Sequence, residues 1–493
     1  MEGDKTVRTK LIMLACALLC SMAHPALAQN PWWDELANLP FPENYPTRHS
    51  SQVLLDELTF QRAVQVYLWA LPAMNMYGMK EGSEKIFGKG YNVLPVFKQR
   101  LNAKTLVTTP NSDVIYAMGY LDLKEDGPLV IEVPPKLQGI LDDFWQRPLC
   151  DVGFAGPDKG QGGKYLILPP DYKAEESKGY FTFRSRTYGV FVFWRAFYQD
   201  PAKLEEPVKL MEQTRIYPLG KKESPRPMIF PDASAVPANM LYPADSSYYD
   251  MLARFIQHEY VDPTELDMRG MLRSIGITRD KPFAPDARTR AILEKAAATG
   301  LKMSAALGTD WLFRQPSAKI YEDRQWTNVF IAKDPEFKID GAIDLDMRAI
   351  MFSMAYSTSP AMVLDIVGAG SKYPSTMRDA NGEKLSGGAS YRLSLPAHIP
   401  VNNFWSVTIY DAATASGLDN GQPFPSISSF DKPVPNPDGS TDIYFGPTAP
   451  KGHEKNWLRT LPGKGYFVMV RLYGPTQPYF DKTWKLPDIE KVK

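Results

Sequence analysis

The apolar pattern of this chain changes period twice, from near two to about 3.6 and back. A chain with that pattern folds around two separate β regions with helices between them. The first strand-like runs are VIYAMGYL (114–121), PLVIEV (128–133), KYLIL (164–168), YFTFR (180–184) and YGVFVFW (188–194), separated by Gly, Pro, Asp and Lys. Short runs at this spacing, without long helices between them, predict an antiparallel sandwich or barrel. After Asp200-Pro201 the period lengthens. Lys203–Arg215 reads as helical, Ser246–Glu259 puts Tyr248, Leu252, Phe255 and Ile256 on one face, and Asp286 is placed to cap a helix carrying Leu293, Ala296, Ala297 and Leu301. Alternation then returns in SYRLSL (390–395) and FWSVTIY (404–410), the signature of half-buried antiparallel strands. TDIYFG (441–446) and YFVMVRLY (466–473) add two more. Upstream, Val53–Leu71 has helical spacing that Pro72 is expected to end.

Residues 1–28 read as a leader. Lys5, Arg8 and Lys10 precede the apolar run LIMLACALL, and Pro25 with Ala26-Leu27-Ala28 forms a small-residue cleavage site before Gln29. The apolar run is too short to span a bilayer, so a periplasmic or secreted chain is expected, without a membrane span after cleavage. The leader carries three of the 56 basic and two of the 56 acidic residues, so the mature net charge is near −1. No whole-protein field is available to attract nucleic acid, which is therefore not an expected partner. Two of the three cysteines lie in the leader, leaving Cys150 without an internal disulfide partner. Stability must come from packing, to which 24 Phe, 25 Tyr and 10 Trp contribute. The expected divisions are the leader (1–28), a Pro-rich extended segment (29–52), a helix with a β-sandwich (53–200), an α-rich middle (201–325) and a second β domain (326–493).

The chain contains no GxSxG elbow, HExxH, paired CxxC or Walker loop. His49, His258, His398 and His453 remain after cleavage, and no two have zinc-ligand spacing. Neither a metal nor a cofactor is expected. The loop Thr109–Asp113 feeds an aromatic strand, so Asn111, Asp113 and Tyr116 can offer an amide, a carboxylate and a phenol to one cavity. Asp113 and Tyr116 are the catalytic candidates, with Asp113 as base, although Asn111 and Asp113 equally suit turn chemistry. Trp145 and Arg147 can stack on and hydrogen-bond an anionic or sugar-like ligand, with Asp151 nearby. Equally, Trp145 fills core and Arg147 pairs with Asp151. Arg186 and Arg195 flank YGVFVFW as an anion clamp or as edge charges. Arg471 shares a strand face with Phe467, Met469 and Tyr473, so it is either paired inside or exposed, with ligand binding as a further reading. Asp431, Asp438 and Asp442 suit turns better than a calcium loop.

Three blocks carry a family likeness: TTPNSDVIYAMGYLDL (108–123) with GPLVIEVPP (127–135); DVGFAGPDKGQGGKYLILPP (151–170); and the stretch from DANGEKLSGGASYRLSLPAHIP to NWLRTLPGKGYFVMVRLYGP (379–475). Together they resemble a bacterial two-domain family known as tandem domains of unknown function, numbers twelve-fifty-four and twelve-fourteen. The resemblance implies a mainly β protein with an immunoglobulin-like N-terminal sandwich, a small helical domain and a C-terminal antiparallel jelly roll. It implies no established activity. Two functional readings stand. One is a cofactor-free hydrolase, lyase or isomerase acting on a small polar or anionic molecule. The other is a non-catalytic ligand- or glycan-binding or envelope-structural protein. A small-molecule or glycan partner suits both, and homo-oligomerisation stays open.

Secreted protein is expected to begin at Gln29 and to carry one free thiol, Cys150. Intact-mass analysis checks this: retention of residues 1–28, or an acyl group on a cysteine, contradicts it.

Overall fold

The computed structural model of the chain describes residues 30–173, 178–328, 330 and 333–492; the leader assigned to residues 1–28 lies outside them. Two units are present, Met1–Gln61 and Arg62–Lys493. In the first, the Pro-rich start is not simply extended. Asn30 caps a short helix, Pro31–Ala37, by accepting a hydrogen bond from the Trp32 amide at 3.2 Å, with proline at the first helical position. Thr47 then accepts from the Ser50 amide at 3.0 Å and caps a second helix, Arg48–Phe87.

That helix runs through Pro72 instead of stopping there. Proline removes the donor that would reach the Leu68 carbonyl and crowds the preceding turn, and side chains from elsewhere bond to other carbonyls of the same stretch. Tyr248 donates to the carbonyl of Tyr67 at 2.8 Å, and Gln146 donates to that of Pro72 at 2.7 Å. These bonds tie the helix to the rest of the fold around a residue that local sequence rules read as a stop.

In the second unit, eight strands build the first sandwich: β1 Ile115–Asp122, β2 Leu129–Val133, β3 Gln138–Asp143, β4 Pro148–Val152, β5 Gly163–Leu168, β6 Phe181–Arg184, β7 Gly189–Ala196 and β8 Arg215–Pro218. They form two open sheets, ordered β1-β7-β3-β4 and β6-β5-β2-β8. Ile115, Ala117, Ile131, Leu141, Tyr165, Val192, Trp194 and Ile216 fill the core between them. Strands β3, β4 and β8 are additions to the sequence reading. QGILDD ends in two carboxylates, which hides a strand whose aspartates are buried and hydrogen-bonded.

A hairpin, β9 Lys338–Ile339 with β10 Ala342–Ile343, precedes the second sandwich. That sandwich comprises β11 Ser371–Lys372, β12 Ser375–Thr376, β13 Ser390–Leu395, β14 Trp405–Asp411, β15 Ser426–Ser428, β16 Thr441–Gly446, β17 Trp457–Arg459, β18 Tyr466–Tyr473 and β19 Glu490–Val492. One sheet is ordered β11-β18-β14-β15, with β12 also on β18, and the other β17-β16-β13-β19. Leu393, Val407, Ile409, Ile443, Val468 and Val470 lie between them. Strand β13 is half-buried as its alternation predicts. Strand β14 is not: Ser406 and Thr408 are fully buried, because the outer face of its sheet meets more protein instead of water.

The middle helices are Glu205–Met211, Ser247–His258, Leu266–Ser274 and Ala287–Ala306. The last is capped by Asp286, which accepts from the Thr289 amide at 2.7 Å. Helical residues outnumber strand residues, and no described sheet closes into a barrel, so the protein is mixed α/β rather than mainly β.

Two helical glycines give opposite expectations. A Cβ at Gly300 would sit 2.5 Å from the Tyr67 ring, whereas one at Gly270 would meet nothing within 4 Å. Gly270→Ala is expected to stabilise by up to about 1 kcal/mol. Gly300→Ala is expected to destabilise by about 1–3 kcal/mol through overpacking. Chemical denaturation checks both signs, and stabilisation at Gly300 contradicts the close packing described.

Candidate functional site

Strand alternation builds the site. In β1 and β7, Tyr116 lies directly opposite Arg195, on the face turned away from the sandwich core. In β18, Val468, Val470 and Leu472 enter their own core, which leaves Phe467, Met469, Arg471 and Tyr473 on the other face. These two outer faces line one cavity of about 100 Å³. Tyr373 from the β11–β12 turn, Tyr356, Phe330, Met351, Met354 and Met362 complete its walls. None of its lining residues is Asp, Glu, His, Lys or Cys.

Both arginines lack a carboxylate in contact. Arg471, only 4% exposed, donates to Thr408 Oγ1 at 3.1 Å and to the Thr109 carbonyl at 3.0 Å. Thr109 has φ +37°, an unfavourable conformation for a β-branched residue. Such backbone costs about 1–3 kcal/mol, and here it accompanies a carbonyl that accepts from Arg471. Arg195 forms no hydrogen bond or ion pair with any described residue, and its Nε is buried without a partner. Its guanidinium carbon lies 5.9 Å from the centre of the Phe193 ring. Burial pushes the hydroxyls of Tyr116 and Tyr473 well above the usual tyrosine range, against the opposing pull of Arg471 and Arg195. These phenols therefore stay protonated at neutral pH and act as hydrogen-bond donors.

A polar network backs the cavity. Thr408 and Ser426 exchange a hydrogen bond at 3.1 Å, and Ser426 donates to Asp113 Oδ2 at 2.8 Å. Asp113 is fully buried and pairs with Arg100 at 2.8 Å, while Arg100 reaches Asp431 at 2.9 Å. Burial pushes the Asp113 carboxyl up, and Arg100 and Ser426 pull it back. Asn111 accepts from the Asp113 amide at 2.8 Å and donates its own side-chain amide to the Tyr473 hydroxyl.

The eight residues expected at the site thus separate. Tyr116 and Arg195 line the cavity. Asn111 and Asp113 stand behind it, so Asp113 has no open space in which to serve as a base. Asp151 accepts from the Ala361 amide at 3.0 Å and is also absent from the lining. Trp145, Arg147 and Arg186 belong to a different cleft, of about 380 Å³. There Trp145 packs on Trp69 at 4.4 Å. Arg147 pairs with Asp143 at 2.6 Å, and Arg186 with Asp262 at 2.8 Å, so both charges are already answered. Arg147 does not pair with Asp151 as one reading had it. Cys150 is buried, and burial pushes its thiol well up. Asp438 accepts from Ser440 within its own turn, and no described group of three or more His, Cys, Asp or Glu is arranged to hold a metal. Tyr373, Tyr356 and the methionines carry no sequence signal of their own. Arg471 and Tyr473 do, as polar members of an otherwise apolar strand face.

Fold and site together define a mixed α/β protein in which two β-sandwiches meet around a basic, tyrosine-lined cavity. Two family models match the chain in tandem, both described as proteins of unknown function: DUF1254 over residues 91–218 and DUF1214 over residues 370–477. These segments take in β1–β8 and β11–β18. A crystal structure of the VPA0106 protein from Vibrio parahaemolyticus is similar in fold, with a TM-score of 0.50 at 18% identity, over 88% of this chain and 100% of that one. An uncharacterised protein from Burkholderia cenocepacia aligns over 90% of this chain and 96% of its own, at 13% identity and a TM-score of 0.39. No curated protein matches the sequence. No described helix is long and apolar enough to cross a membrane.

Removing the Asp113 carboxylate leaves Ser426 and one Arg100 nitrogen without their buried acceptor, while Asp431 still answers the Arg100 charge, a cost of about 1–3 kcal/mol. Asp113→Ala is expected to lose that much unfolding free energy in urea titration. A loss below about 1 kcal/mol contradicts its role in joining the sandwiches.

Proposed function

We propose that this protein binds a small organic anion, a carboxylate in the first instance, in the cavity between its two sandwiches. The observation that carries this reading is Arg195, a cation without a hydrogen bond or ion pair among the described residues, in a cavity that also presents Arg471 and four tyrosines. Leaving a charge unanswered in a confined site costs stability, and an anionic ligand answers it through charge-assisted hydrogen bonds. Protonated Tyr116 and Tyr473 supply further donors of the correct sign. Catalysis by Asp113 is the weaker alternative, because the carboxylate is held by Arg100 and Ser426 and the cavity lining offers no carboxylate, imidazole or amine to take a proton. We assign binding rather than turnover. The leader pattern supports a periplasmic or secreted setting, and the two-sheet cores support an immunoglobulin-like first domain and a jelly-roll-like second.

Thermal unfolding tests the proposal. Hexanoate is expected to raise the melting temperature in a saturable way, as a ligand of the folded state must, while hexanamide leaves it unchanged. Arg195→Met is expected to abolish the hexanoate effect and to stabilise the ligand-free protein by about 1–3 kcal/mol, because an unanswered charge is gone. Equal shifts from acid and amide, or an undiminished hexanoate shift in Arg195→Met, refute anion binding at this cavity.

A further inference from the structure

The cavity has a neighbour. A second chamber, of about 290 Å³, shares Met354 and Phe467 with it as common wall. Its remaining residues are mostly small, with Ala305, Gly308, Ala412 and Ala415 among those that leave the space open; several serine and threonine hydroxyls and the exposed Lys302 also border a surface that is otherwise apolar. An apolar cavity of about 150 Å³ is enough for benzene, so the first chamber suits an acid head with few carbons and the second suits a longer apolar body. The partition is soft. Met354 is an unbranched thioether that adapts to what it touches, and Met351, Met362 and Met469 sit beside it in the first chamber. The backbone at the second chamber is also irregular, with a π-helical turn, Leu307–Trp311, that brings Gly308 and Thr309 to the wall. Such turns are frequent at functional sites. A Cβ at Gly308 would lie 3.1 Å from Met354 Sδ, so the missing side chain is part of what keeps the chamber next to the partition open.

We infer that the ligand is an elongated amphipathic carboxylate, with its head on Arg195 and Arg471 and an unbranched aliphatic tail that displaces Met354 and enters the second chamber. This inference rests on the anion-binding reading above and extends it to a substrate class. The charge at one end and the apolar space at the other set the ligand's polarity and direction, while the shared wall sets where the two halves join.

Calorimetric titration of the full chain with straight-chain carboxylates from butanoate to dodecanoate tests the inference. Affinity is expected to rise by about fourfold per added methylene once the tail passes the partition, as burial of each methylene predicts. Gly308→Leu, which fills the second chamber, is expected to bind hexanoate as the wild type does and to lose the gain for decanoate and dodecanoate. If hexanoate binds and the wild-type series is flat beyond it, the second chamber is not the tail site and the inference falls while anion binding stands. If Gly308→Leu folds and binds dodecanoate as tightly as the wild type, the inference falls too. If no carboxylate binds the wild type, the anion-binding reading fails and takes this inference with it. The wild-type series keeps the test decisive even where Gly308→Leu does not fold.

Discussion

The contact between the two sandwiches depends on Asp113. Each sandwich has a core of its own, but the outer faces of sheets β1-β7-β3-β4 and β11-β18-β14-β15 are buried too, and β14 carries serine and threonine into that layer. Buried polar groups need partners. Asp113 accepts from Arg100 on one side and Ser426 on the other, and Ser426 leads through Thr408 to Arg471. One carboxylate from the first domain thereby serves a chain of donors from the second. The Tyr410 hydroxyl adds a bond to the Pro110 carbonyl at 2.7 Å, which fixes the same loop against β14. Fully satisfied networks of this kind specify one arrangement of the parts they join.

The same layer explains why the site is basic. Arg471 is held by carbonyl and hydroxyl oxygens, which orient a guanidinium without neutralising it. Arg195 is left without even those contacts. Surrounding protein excludes water from much of both groups, and reduced screening strengthens their attraction for an anion. Where Arg147 and Arg186 lie, by contrast, Asp143, Asp262, Glu265 and Glu336 compensate the charge. Two basic clusters on one molecule thus differ in what they offer a ligand, and the difference is the number of acidic neighbours rather than the number of arginines.

Much of the architecture is written locally. The five strand-like runs of the first block and the four principal ones of the last carry enough alternation or β-branched and aromatic content to be read directly. The Asp286 cap is equally local. Among the features that escape, two depend on distant residues. Helix Arg48–Phe87 continues through Pro72, where Gln146 and Tyr248 bond to its carbonyls from distant parts of the chain. Strand β3 hides behind Asp142 and Asp143, whose burial depends on Ser357 and Arg147. The site shows the same division. Tyr116 and Arg195 flag themselves as polar residues in apolar strands. The displacement of Asp113 from cavity to clamp follows from Arg100 and Ser426, which lie 13 and 313 residues away. No periodicity carries that information.

An anion seated between Arg195 and Arg471 is open to direct observation. Crystals grown with 6-bromohexanoate locate the ligand independently of any stability measurement, through the anomalous signal of bromine. The expected result is a carboxylate in contact with both guanidinium groups and with Tyr116 or Tyr473, and the bromine on the Met354 side of the cavity. Ligand bound instead in the Arg147–Arg186 cleft, or a cavity without ligand density at saturating concentration, contradicts it.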